Sequence, residues 1–125
     1  MHILKVIIMK LLLLFISLAF APAAYSQMVQ LDSIANYEGK SVKICEVVQS
    51  TYQSKGEKKT TYLNFGKPFP NATFSVVIFE SNLKNFSYNP ATFLKGKTVC
   101  ITGIVKMYKG KPQFVIDNEK QIAVK

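Results

Sequence analysis

Tyrosine and lysine are interleaved at two places, Tyr52-Gln53-Ser54-Lys55-Gly56-Glu57-Lys58-Lys59 and Tyr108-Lys109-Gly110-Lys111-Pro112. Flat rings beside hydrated ammonium groups suit non-covalent attraction to a polyanion such as nucleic acid, an acidic glycan or an anionic surface. A solvated, lysine-rich surface would have the same composition. All 16 basic residues are Lys, so the forked guanidinium that reads phosphate or guanine bidentately is absent. Bond-making chemistry is poorly provided for. The single histidine is His2, and the seven carboxylates (Asp32, Glu38, Glu46, Glu57, Glu80, Asp117, Glu119) are scattered without a close acid/base pair. There is no HExxH, GxSxG or Gly-rich phosphate loop. Two cysteines without a histidine make a poor metal site. The expectation is a binding module, not an enzyme, with no cofactor and no metal.

These groups belong to one small domain. Lys5 and Lys10 precede an apolar run, Leu11 to Ala21, followed by small residues around Ala21-Pro22-Ala23 and Ala24-Tyr25-Ser26. That order predicts a cleaved signal peptide over residues 1–26 and a domain over residues 27–125. The run is too short for a stable membrane span, which needs roughly 20 apolar residues. Removing Lys5 and Lys10 lowers the formal charge from +9 to +7. The expected location is periplasmic or secreted.

The elements follow from periodicity. Leu31 to Tyr37 predicts a short helix, with Asp32 or Ser33 to cap it and Gly39 to end it. Val42, Ile44 and Val48 alternate with polar neighbours and predict a first strand over Ser41 to Ser50. A charged loop, Lys55 to Lys59, leads to a second strand, Thr60 to Phe65, and two prolines make Lys67 to Asn71 a turn. A third strand runs from Thr73 to Phe79. Glu80 to Phe93 breaks the pattern and reads as a short helix and loop covering one end. Val99, Ile101, Gly103 and Val105 then lead into a hairpin whose return strand is Gln113 to Ile116. Ile122 and Val124 are placed to dock a tail. Phe69 is expected to plug one end of the fold, and Phe79 to lie beneath the 80–93 segment.

Several motifs recur together: Gly39-Lys40-Ser41-Val42, Tyr62-Leu63-Asn64-Phe65-Gly66-Lys67-Pro68-Phe69-Pro70, Phe74-Ser75-Val76-Val77-Ile78, and Gly96-Lys97-Thr98-Val99-Cys100-Ile101-Thr102-Gly103. With Tyr108-Lys109-Gly110-Lys111-Pro112-Gln113, they make the chain resemble the small exported bacterial OB-fold domains related to the tRNA-anticodon-binding-like and single-strand-binding groups. The resemblance implies an all-β fold: a five-stranded Greek-key OB barrel with a short N-terminal helix and a helix/loop insertion between strands three and four. It also makes the first and fourth strands antiparallel neighbours, with Cys45 and Cys100 on their outer face. A Cys45–Cys100 disulfide is then expected in an oxidising compartment.

In that fold the ligand crosses strands two and three between the first and last connecting loops. The positions that match are Tyr62 and Asn64 on strand two and Ser75, Val77 and Phe79 on strand three. Tyr52, Lys55, Lys58 and Lys59 flank them on one side, with Tyr108, Lys109 and Lys111 on the other. Rings that stack on bases and cations that follow phosphates imply single-stranded nucleic-acid binding, sensitive to salt and tolerant of sequence. The alternative is an envelope module that binds a protein or glycan. An accessory role beside a secreted nuclease is a further implication of the resemblance.

Overall fold

The computed structural model describes residues 26–125; the expected leader, apart from Ser26, falls outside them. A two-residue strand, β1 (Gln27–Met28), pairs in parallel with the start of β2 (Ser41–Gln53). Between them Leu31–Tyr37 forms a 3₁₀ helix that buries Ile34. Asp32 and Ser33 lie inside this helix and do not cap it: Gln30 is the capping residue and makes no side-chain cap bond. Gly39, at φ +79°, ends the turn, and its N–H donates to the Val105 carbonyl.

Strands β3 (Thr61–Phe65), β4 (Phe74–Ile78), β5 (Thr98–Ile104), β6 (Lys106–Tyr108), β7 (Lys111–Val115) and β8 (Ile122–Val124) complete the β-structure. Two four-residue helices, α1 (Glu80–Leu83) and α2 (Pro90–Phe93), occupy the expected insertion between β4 and β5. Pro90 begins α2, where its missing N–H costs nothing, and the Asn89 side chain accepts from the Ala91 N–H.

The fold is all-β, but it is not a closed ladder of five strands. The hydrogen-bonded order is β6-β7-β4-β3-β2-β5-β8, with β1 on the flank of β2. The physical cause lies at Val105. Its N–H donates to Lys40 O and its carbonyl accepts from Gly39, so it leaves the ladder. Before this residue the strand pairs with β2; after it, the strand pairs with β7. One predicted strand thus becomes β5 and β6, joined through a single buried residue. The tail docks by backbone pairing, as β8 against β5.

β2 also serves two partners. Its first half pairs with β5 and its second with β3, and the register shifts between Val48 and Ser50. Such a bulge bends a strand and increases its twist. The bend lets one continuous core lie inside. Val42, Ile44, Val48, Leu63, Phe65, Phe74, Val76, Ile78, Val99, Ile101, Phe114 and Ile116 form it, with Phe86 and Leu94 entering from the helical insertion. Phe65 and Phe74 stack at 4.5 Å, and Phe114 meets Phe74 edge-on at 5.6 Å. Each buried side chain of this size contributes roughly 1.5–3 kcal/mol.

Candidate binding face

Because β-strand side chains alternate, residues opposite one another across the ladders form rows on the outer face of β2, β3, β4 and β7. One row is Tyr52, Tyr62, Val77 and Val115, each directly opposite the next. Tyr52 and Tyr62 stack at a ring separation of 6.1 Å and an interplanar angle of 29°. Tyr52 is 54% exposed and Tyr62 half-buried. Val77 shares the row but is almost wholly covered, so it supports its neighbours and offers a ligand little surface.

The second row is polar: Ser50, Asn64, Ser75, Gln113 and Lys106. Its centre is occupied by its own hydrogen bonds. The Ser75 hydroxyl donates to Asn64 Oδ1 at 2.8 Å, and Asn64 Nδ2 donates to the Ser50 hydroxyl oxygen at 3.1 Å. That oxygen also accepts from the Phe69 N–H at 3.3 Å. Asn64 is only 3% exposed. Asn64 is thus enclosed within an internal hydrogen-bonded chain, whereas Ser75, bonded to it, is half-exposed. A buried amide stays paired because leaving it unpaired costs about 1–3 kcal/mol.

The two groups of lysines lie at opposite ends of this face. Lys55, Lys58 and Lys59 sit in the exposed loop between β2 and β3. Ser54 closes that loop: its hydroxyl accepts from the Thr60 N–H at 2.8 Å and donates to the Lys58 carbonyl at 3.1 Å. Tyr108, Lys109 and Lys111 lie on the β6–β7 hairpin, beyond the other end. Lys109 and Gly110 both have positive φ, 49° and 79°, the backbone that a two-residue hairpin loop requires. Tyr108 is exposed, with the Lys109 ammonium 5.4 Å from its ring centroid. The Lys111 ammonium donates to the Pro70 carbonyl at 2.6 Å and so ties the hairpin to the 67–71 loop. From Val115 to Lys111 the face runs four residues along β7, about 13 Å at strand spacing.

Three features escaped the sequence reading. Lys106 is exposed at the β6 end of the polar row; continuing the alternation through Val105 would have found it. Phe69 plugs nothing: it is exposed on a turn outside the core. Phe79 is likewise exposed, because α1 begins beside it and buries none of its own residues. Both depend on what lies above a surface, which strand periodicity does not encode.

Cys45 and Cys100 are directly opposed on β2 and β5 and form a disulfide, with Cα atoms 3.9 Å apart. They belong to the other outer face, beside a shallow hollow lined by Met28, Leu31, Glu46 and Lys125. At the helical insertion, burial and the nearby Glu119 carboxylate push the Tyr88 phenol above its ordinary pKa. Among the described residues there is no cluster of three or more metal-binding side chains. None of their helices is long and apolar enough to cross a membrane.

No protein-family model and no curated protein matches the chain. Solved structures do. OBody AM1L10, seen bound to hen egg-white lysozyme, is 20% identical with a TM-score of 0.52, over 83% of this chain and 98% of the other. An aspartyl tRNA synthetase from Entamoeba histolytica is 20% identical with a TM-score of 0.49, over 83% of this chain and 24% of the enzyme. A lipoprotein of Klebsiella pneumoniae subsp. pneumoniae, proposed to bind nucleic acid, is 13% identical with a TM-score of 0.40, over 76% of this chain and 77% of the other. The likeness to the OBody chain concerns the fold, and with the strand order it is consistent with an OB-like fold.

Proposed function

We propose that this chain is an exported, non-catalytic OB-fold module that binds single-stranded nucleic acid. The observation that carries this reading is the Tyr52–Tyr62 pair. Two stacked rings on neighbouring strands are open to solvent on one side, with lysine loops at both ends of their face. A base stacked on such a ring contributes about 1–3 kcal/mol whatever its identity. The lysines supply a salt-dependent attraction to phosphate. Asn64 and Ser75, committed to each other, leave little hydrogen-bonding capacity for base edges, which favours sequence tolerance. The disulfide and the leader-like N-terminal sequence support export to an oxidising compartment.

The test is fluorescence anisotropy of residues 27–125 with a labelled oligothymidine across a salt series. The expected result is binding that weakens steeply from 50 to 500 mM salt. Absence of binding at 50 mM, despite a formal charge of +7, would overturn the reading. It would move the search to a protein or glycan partner, starting from the exposed Phe79.

A further inference from the structure

Phe69 is the most exposed large hydrophobic residue among those described, at 76%. Its loop is nonetheless held firmly. The Phe69 N–H donates to the Ser50 hydroxyl, Asn71 N–H to Pro68 O at 2.9 Å, and Thr73 N–H to Phe65 O at 2.8 Å. Lys111 fastens the far side through Pro70 O. The hydrogen-bonded chain across the binding face, Ser75 to Asn64 to Ser50, thus ends on the Phe69 backbone.

The position matters as much as the support. Ser50 lies two residues from Tyr52 on the same side of β2, about 7 Å along the strand. The Phe69 N–H donates to the Ser50 hydroxyl, so a third exposed aromatic residue stands on the loop fastened one row from the Tyr52–Tyr62 pair. Lys67, at the start of this loop, is exposed. Apolar rings among cations complement a strand whose bases are flat and apolar and whose linkages are anionic.

We propose that Phe69 is a third stacking platform of the same site, so that the ligand is a single strand engaged through at least three bases. Ser75, Asn64 and Ser50 act on the ligand only by positioning the Phe69 loop. This inference rests on the nucleic-acid reading above and adds a residue outside the strands that carry the tyrosines.

The chain contains no tryptophan, so Phe69→Trp installs a single indole at the position in question. Oligothymidines of two to six residues are titrated into the wild-type domain, Phe69→Ala and Phe69→Trp. In the wild type, affinity is expected to rise sharply when the third base is added. Phe69→Ala should lose that rise and bind the hexamer about tenfold or more weakly, as expected for one stacked base. Indole emission should be quenched with the midpoint that wild-type anisotropy gives. Adding Ser50→Ala to Phe69→Trp should lower the emission polarisation of the free protein and weaken binding, and Ser50→Thr should restore both. Equal binding by wild type and Phe69→Ala, with indole emission unchanged, would overturn the role of Phe69 and leave nucleic-acid binding standing. No binding by the wild type would overturn both.

Discussion

Strand β2 has two outer halves that look alike in sequence and are built for different ends. On the half paired with β5, Cys45 is bonded covalently to Cys100. On the half paired with β3, past the register shift, Ser50 enters a hydrogen-bonded chain and Tyr52 faces water beside Tyr62. The first half is fastened covalently to its neighbouring strand. The second places its polar groups in mutual contact one row from the tyrosine pair. Outward-pointing residues on a small β-domain thus divide into those that brace the wall and those that present a surface. The bulge at Gln49 is the boundary.

The comparison breaks most visibly at the disulfide. Replacing Cys45 and Cys100 with serine opens a loop with a sequence separation of 55 and should cost about 4 kcal/mol in the chain-entropy model. Urea melts would read this loss, while oligonucleotide affinity measured well below the melting transition should stay the same. A large affinity change would mean that the two halves are not independent. Tyr62→Ala should behave in the opposite way. It is expected to weaken single-strand binding by about 2 kcal/mol and to lower stability less than the cysteine replacements do.

Gly66→Ala should affect both properties through the loop. Gly66 holds φ at +85°, and an added Cβ would press on the Thr73 side chain, whose Cβ lies 2.8 Å away. A stability loss of about 2 kcal/mol follows from left-handed strain plus crowding. The accompanying loss of affinity should vanish in a Phe69→Ala background if the loop acts through Phe69. The smallest effect is expected at Lys106. Lys106→Gln should leave the melting point in place and reduce the slope of log affinity against log salt by about 0.7, one phosphate contact on a single strand. An unchanged slope would remove Lys106 from the face.

The two halves of β2 were not equally legible in the sequence. Alternation at Val42, Ile44 and Val48 locates the strand, and the β5 alternation at Val99 and Ile101 sets Cys100 out of phase with the core. The cysteine pairing follows once those strands are taken as neighbours. Tyr62 could be placed on the outer face by the same logic. Asn64 could not be distinguished from Tyr62, because both point outward and only the third dimension shows that Ser50 and Ser75 enclose the amide. Phe69 reads as a core residue by type, and its exposure follows from a turn tied down by Ser50 and Lys111. The division of one strand into β5 and β6 was hidden for a similar reason: Val105 continues the alternation without interruption while its backbone bonds to Gly39 and Lys40.

That division also bears on the order in which the molecule can assemble. The strand through Val105 pairs with residues some sixty positions earlier at one end and with the final hairpin at the other. Distant pairings of this kind slow folding, since chain entropy is lost before contacts repay it. A chain emerging from the ribosome has only the two residues of β1 to pair with the first half of β2 until Thr98–Ile104 has been made. The core therefore stays open through most of synthesis, leaving a polypeptide that can still be threaded through a narrow channel.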